Sequence, residues 1–517
     1  MADNNSGLLK KTLDKDLGKI AEMEVATVSL SRRYVGVGIG FLFLALSTIF
    51  AGIAVSGQPG FLVITAAAAV GAYMAMNIGA NDVANNVGPA VGSRALSMTG
   101  ALVIAAICES AGALIAGGDV VATISKGIIN PEAVAVPSVF IAAMMAALFS
   151  SALWVNLATW IGAPVSTTHS VVGGVMGAGI AAAGFSAVQW DVMAAIAASW
   201  VVSPVLGGVV AALFLAFVKT FVIYQEDKIA AARKWVPLLI ALMASAFAVY
   251  LAMKGLKQVV KISGFGLLVI AVSSFLATWV FMRPLIHRQS VGMENRNQSL
   301  RRLFNIPLVF SAALLSFAHG ANDVANAVGP LAAIVHTAEF GDVSAKVSIP
   351  IWIMVIGALG ISVGLLIFGP RLIRMVGEKI TKLNPIRAYC VALSAAITVI
   401  IASWLGLPVS STHIAVGAVF GVGFFREWYT VNSSRRRDYM ARKYARLRNA
   451  NQATPVEAVW ESAEEEDDST PAAREESARR RLVRRAHVRT IVAAWLITVP
   501  AAALLAALIF ALLRLAA

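Results

Sequence analysis

The chain carries a succession of apolar runs about 17 to 25 residues long, each the length a helix needs to cross a bilayer. No water reaches the hydrocarbon, so the N–H and C=O groups of such a run must be satisfied within it. A helix does that. The runs fall at 35–55, 61–78, 98–116, 137–160, 165–184, 193–218, 235–253, 264–282, 304–319, 347–369, 387–405, 411–425 and 489–515. Some read as half-helices or re-entrant segments, so the pattern predicts an all-α integral membrane protein with about 12 transmembrane helices. Only 14% of the residues are charged, against about 25% in a soluble domain.

Those charges collect between the runs, so the net charge of +14 reports topology rather than nucleic-acid affinity. Basic loops face the cytoplasm. Four stretches qualify: Lys10, Lys11, Lys15, Lys19, Arg32 and Arg33; Lys219, Lys228, Arg233 and Lys234; the loop from Arg283 to Arg302; and the insert from Arg426 to Arg489. An even number of runs separates each neighbouring pair, so all four can share the cytoplasmic side. Lys254, Lys257 and Lys261 then fall on the other side, in conflict with the rule. The first 33 residues are too long and too acidic for a cleaved leader. Cys108 and Cys390 each sit inside an apolar run and read as small core residues.

This divides the chain into a cytoplasmic N-terminal segment (1–33), a first membrane part (34–218), connecting helices with a basic loop (219–303), a second repeat (304–425), a charged insert (426–488) and a C-terminal membrane helix (489–517). The insert, with "SRRRDYMARKYARLRN", "EEEDD" and "RRRLVRRAHVR", reads as a solvated linker that fixes orientation. A charged amphipathic helix at the anionic leaflet is the other reading.

Two polar motifs interrupt the apolar runs, and each occurs twice. "GANDVANNVGP" spans Gly79–Pro89 and "GANDVANAVGP" spans Gly320–Pro330; "APVSTTHSVVGGVMGAG" follows the first and "LPVSSTHIAVGAVFGVG" the second. Asp82 to His169 covers 87 positions and Asp323 to His413 covers 90, so the chain contains an internal duplication. Seven runs are traversed from the first motif before the second begins. Seven is odd, so the repeats are expected to run in opposite directions, as in secondary transporters whose sites lie where inverted repeats meet.

A carboxylate at the bilayer centre costs about 2.5–3.5 kcal/mol even on a lenient scale, so Asp82 and Asp323 need partners. Asn81 and Asn85, like Asn322 and Asn326, lie four apart and share a helix face with the aspartate. Together they offer clustered oxygen atoms, the donors a small hard cation prefers. Gly79, Gly88 and Pro89 are expected to break the helix and expose carbonyls as further ligands. Polar helix packing is the alternative for a single copy. Glu109, a further intramembrane carboxylate, reads as a cation ligand or proton site.

The hydroxyl runs follow a proline and precede apolar, Gly-rich sequence, which is the signature of a helix start. Ser166, Thr167 and Thr168, with Ser410, Ser411 and Thr412, can therefore place hydroxyls and free N–H groups around an oxyanion; N-capping alone is the plainer reading. His169 and His413 end these runs, and each can contact the anion, titrate, or pack. His319 has Ile78 as its first-half counterpart, and that asymmetry assigns it a local structural role. Two helix N-termini supply about +1, while a phosphate-like anion brings roughly −1 to −2 and two ionised aspartates add to the deficit. No Arg or Lys lies in either motif run. Co-bound cations or protons must make up the difference, which implies symport. A channel is disfavoured by the paired aspartates, and a hydrolase with Ser166 or Ser410 as nucleophile by the duplication.

With its doubled "GANDVAN" and doubled "PVSTTH"-like runs, the chain resembles the inorganic phosphate transporter (PiT) family over roughly residues 60–185 and 304–425. The resemblance implies an inverted-repeat symporter that moves phosphate with sodium or protons, in bacterial relatives as a metal–phosphate complex, with sulfate as the alternative anion. It implies coupling cations at Asn81, Asp82, Asn85, Asn322, Asp323 and Asn326, and phosphate at the hydroxyl runs. Glu109 matches the family's first-half glutamate. The second-half pattern carries another where this chain has Ala392, and Ser410-Ser411-Thr412 stands where the family has Ser-Thr-Thr, so the cation stoichiometry is open. No cofactor and no nucleic acid are expected. The expected partners are phosphate and the lipid bilayer, with a second copy of the chain as a candidate, in a bacterial inner membrane.

Overall fold

The computed structural model describes residues 34–130, 133–134, 136–163, 165–255, 262–343, 349–379, 383–439, 441–442 and 485–516. The expected N-terminal segment and residues 443–484 of the insert lie outside the described residues. Within them the chain is helical: α1 Tyr34–Ala54, α2 Phe61–Gly92, α3 Met98–Ala116, α4 Gly118–Lys126, α5 Pro137–Ile161, α6 Thr167–Ala183, α7 Trp190–Val218, α8 Lys228–Lys254, α9 Gly264–Gln289, α10 Asn297–Leu303, α11 Asn305–Phe340, α12 Ile351–Lys379, α13 Pro385–Trp404, α14 Ser411–Asn432 and, for the last helix, α15 Arg485–Ala516. Eleven described helices are long and apolar enough to cross a membrane. The two that carry the hydroxyl runs, α6 and α14, are not among them. Both instead start inside the protein, from hydroxyl residues that expose 2% or less.

The layers follow from burial. The most apolar windows of α11 and α13 are 83% and 78% buried, whereas those of α9, α1 and the last helix are 6%, 17% and 22% buried. The motif helix α11 is therefore central and α1, α9 and α15 face lipid.

Contrary to the sequence expectation, neither motif breaks its helix. α2 runs unbroken to Gly92 through Gly79, Gly88 and Pro89, and α11 continues through Pro330 to Phe340. The glycines serve close packing instead. A Cβ on Gly79 would lie 1.9 Å from Ile361 O on α12, and one on Gly320 would lie 2.0 Å from Glu109 O on α3. Gly364 meets Met76 O and Gly112 meets Phe317 O at 2.0 Å in the same way. Small residues let membrane helices touch backbone to backbone. α2 thus packs on α12 as α11 packs on α3. α2 and α11 themselves run antiparallel: Gly60 meets Ala338, Gly71 meets Leu331, and Thr167 touches both Asp82 and Asp323.

Three basic stretches assigned to one side by sequence are joined at one end. Arg233 Nε donates to Ser290 Oγ (2.6 Å), the Lys228 N–H to Asn295 Oδ1 (2.9 Å), and Lys228 Nζ to Tyr439 Oη (2.7 Å). At the opposite end of α8, the unexpected Lys254 pairs with Asp119 of α4 and donates to Trp404 O (3.4 Å). Its charge is neutralised there, which removes much of its conflict with the topology rule; Lys257 and Lys261 lie outside the described residues. Cys108 and Cys390 are free thiols, the latter buried.

Candidate functional site

α6 and α14 begin alike. Ser166 and Ser410 are N-caps in extended backbone, and their hydroxyl oxygens accept the N–H of His169 (3.1 Å) and His413 (3.2 Å). A cap satisfies one of the free donors of the first turn. Pro164 lies outside the described residues. The helix starts point toward each other, since the His169 and His413 rings meet edge to face at 4.3 Å and His169 also packs on Trp200 at 3.8 Å.

The motif asparagines hold the two hairpins by equivalent contacts. The Asn81 amide meets Thr159 Oγ1 at 2.9 Å in the last turn of α5, and Asn322 Nδ2 donates to Ser403 Oγ (3.1 Å) in the last turn of α13 and to Leu407 O (3.2 Å) between α13 and α14. One turn on, each motif reaches into the other half. Asn85 Nδ2 donates to Thr412 Oγ1 (2.8 Å), and Asn326 Nδ2 to Thr168 Oγ1 (3.1 Å).

The aspartates expose 1% or less, and the hydroxyl runs converge on them. Asp82 accepts from Thr167 Oγ1 (2.9 Å) and, across the halves, from Thr412 Oγ1 (3.0 Å). Asp323 accepts from Ser411 Oγ (3.3 Å) and, more weakly, Thr167 Oγ1 (3.4 Å). Thr168 donates to Val409 O (3.0 Å). The acceptors predicted for a cation and the donors predicted for an anion are therefore hydrogen-bonded to one another. On the second motif, Asn322 Oδ1, Asp323 Oδ1 and Asn326 Oδ1 are buried without a hydrogen-bond donor among the described residues. Buried oxygens are normally satisfied, and a set of unsatisfied hard oxygens fits a cation with oxygen ligands.

The sequence assigned His319 a local structural role, and the structure places it among the carboxylates of both halves. Its ring is fully buried between the two halves, with Nε2 3.0 Å from Asp323 Oδ2 and 3.7 Å from Asp82 Oδ2, and Nδ1 3.1 Å from Glu109 Oε2. Ligand atoms of Asp82, His319 and Asp323 all lie within 4.8 Å of one another. The site thus contains an ionisable nitrogen that the sequence-level charge balance left out. Asn86 was also missed: its Nδ2 donates to Glu109 Oε1 (2.8 Å). Sequence signals existed for both, since His319 precedes Asp323 by one helical turn and Asn86 is the position where the duplicated motifs differ.

The glycine contacts also correct the assumed partner of Glu109. Gly79 and Gly320 hold the same motif position and face Ile361 and Glu109, so Ile361 is the counterpart of Glu109. Ala392, where the resemblance placed a second carboxylate, is fully buried on α13. It belongs to a different helix of the repeat and does not complete a symmetric pair with Glu109.

The chain matches the phosphate transporter family over residues 78–506. A Helicobacter pylori protein named "Putative phosphate permease" is 46% identical over 533 aligned positions, spanning 96% of this chain and 98% of the relative. A Pyrococcus furiosus protein with the same description is 39% identical, spanning 70% of this chain and 87% of the relative. Among solved structures, "The sodium-dependent phosphate transporter" superposes with a TM-score of 0.73 at 32% identity, covering 88% of this chain and 99% of the other.

Proposed function

The chain belongs to the phosphate transporter family, and on that premise we propose that it imports inorganic phosphate in symport with a cation bound at Asp82 and Asp323. The observation that carries this reading is the hydrogen bonding of the two motif classes to each other. Thr167, Ser411 and Thr412 spend their hydroxyl protons on the aspartates. A cation seated among the carboxylate and asparagine oxygens competes for those lone pairs. It releases the hydroxyls, and with the first-turn N–H groups they then turn to an oxyanion. Phosphate binds well only when the cation is present, and linkage makes the reverse equally true.

In this mechanism Asn81 and Asn322 position the hairpins and Asn85 and Asn326 tie each half to the other. Glu109 and Asn86 orient His319, which bridges the aspartates. The antiparallel motif helices are read as inverted-topology repeats that rock about the shared site, in a bacterial inner membrane. Sodium is the first candidate cation because the solved relative is named for sodium dependence; a proton is the second.

The test is labelled-phosphate uptake into proteoliposomes with sodium and proton gradients imposed separately. Accumulation that follows one gradient supports symport and names the ion. Phosphate that moves only with an added divalent metal points to a metal–phosphate complex as cargo. Labelled sulfate that accumulates under the same gradients while labelled phosphate does not would overturn the anion assignment.

A further inference from the structure

The end of the bundle that joins the basic stretches gathers positive charge beyond what topology requires. Lys219, on the π-helical turn Lys219–Ile223 that ends α7, exposes only 7% of its surface. Its ammonium lies 4.2 Å from the ring centre of Tyr429 and 5.7 Å from that of Phe425 on α14. Tyr224 stacks on Tyr429 at 5.8 Å and closes that side. Arg387, in the first turn of α13, has Nη1 buried without a hydrogen-bond acceptor among the described residues. The charges of Arg426, Arg436 and Arg387 all bear on Lys219, and those of Arg426 and Arg301 bear on Arg387. Arg436 is held in place by Nη1 donating to Thr430 O (3.0 Å).

Among the described residues, no ion pair joins Lys219, Arg301, Arg387 or Arg436 to a carboxylate. A topology signal needs basic residues only near the interface, where water solvates them. Lys219 is buried, Arg387, Arg426 and Arg436 are half-buried around it and Arg301 is exposed at the rim; gathering like charges there, one with an idle buried donor, is unfavourable unless an anion joins them. Guanidinium forks and an ammonium are the donors that match a phosphate group. α14 leads to this cluster from the other direction: Ser411 and Arg426 lie on one helix, about 22 Å apart at 1.5 Å per residue.

We propose that Lys219, Arg301, Arg387, Arg426 and Arg436 form a second oxyanion site, at the basic end of α7, α13 and α14, that takes a phosphate group. Two sources present that chemistry there: free phosphate leaving the central site, and the headgroup of an anionic lipid in the adjoining leaflet. The site stands on its own geometry and does not depend on the cation assignment at Asp82 and Asp323.

The experiment uses the full-length chain with Asp323→Asn, which lowers the background from the central site, alone and with Arg387→Gln or Lys219→Gln added. Equilibrium binding of labelled phosphate is measured in a neutral detergent, and the Tm is measured with dioleoylphosphatidylglycerol or dioleoylphosphatidylcholine. For free phosphate, the Asp323→Asn protein retains binding that either added substitution weakens about tenfold, the loss expected for one charge-assisted contact. For a lipid headgroup, phosphatidylglycerol but not phosphatidylcholine raises the Tm, and the added substitutions abolish the rise. Two substituted positions on different helices keep the test open if one variant fails to fold. Phosphate binding and lipid response that are the same with and without the added substitutions would overturn the site.

Discussion

The motif on α2 and the motif on α11 make the same contacts in three of four respects. Each anchors its own hairpin through the first asparagine, reaches the opposite hydroxyl run through the second, and packs on a partner helix through its glycine. They part in one polar layer. The second-half site has the chain Asn86–Glu109–His319 leading to its aspartate, and the symmetry-related positions are Ala327, Ile361 and Ile78. Duplication therefore supplied the scaffold twice and the buried ionisable wing once. A symmetric pair of sites would bind and release alike. An asymmetric pair gives the two aspartates different surroundings and, under the proposed symport, different parts in the cycle.

The largest effects test the shared scaffold. Gly79→Ala and Gly320→Ala each drive a Cβ to within about 2 Å of a carbonyl oxygen, a backbone clash expected to cost more than about 4 kcal/mol. Both variants are expected to lose membrane-inserted, folded protein to the same degree; tolerance of one alone would break the equivalence of the halves. Next come the aspartates. Asp82→Asn and Asp323→Asn are each expected to insert normally and to lower gradient-driven uptake about 100-fold, the upper range of coupling between linked sites. Near-normal uptake in either would remove that aspartate from the cation site.

Smaller effects sharpen the difference. His319→Ile makes the second half copy the first and leaves Asp323 and Glu109 without their shared partner, at about 1–3 kcal/mol. Uptake is expected to fall roughly tenfold to 100-fold in folded protein, whereas Ile78→Val changes it less than about fourfold, the cost of one methylene. Equal effects would mean that the polar wing is structural. Asn86→Ala, the substitution the second motif already carries, removes only one hydrogen bond to Glu109. A loss of about fivefold in initial rate is expected, at about 1 kcal/mol for one such bond.

Much of this was legible in the sequence because it is local. The apolar runs gave the helices, and the Ser-Thr runs gave the starts of α6 and α14, where the structure assigns the caps to Ser166 and Ser410. Local rules misled where tertiary packing decides. Glycine and proline suggested a broken motif helix. Gly79 and Gly320 are instead where another helix's backbone comes to rest, and Pro89 lies only three residues from the helix end, where its missing N–H disturbs little beyond the last turn. His319 was set aside for lacking a repeat partner. Its neighbours Glu109 and Asp82 come from α3 and α2, which no spacing along α11 announces. For the same reason the partner of Glu109 was sought at Ala392, along the sequence, rather than at Ile361, across the helix contact.

The most direct test of the central claim is equilibrium binding of labelled phosphate to the purified chain as sodium or proton concentration is varied, in the wild type and in Asp323→Asn. The account predicts that one of these ions tightens phosphate binding in the wild type, and that Asp323→Asn abolishes the dependence. Phosphate affinity that is the same with and without either ion would contradict it, because the hydroxyls would then serve the anion without first being released from the aspartates.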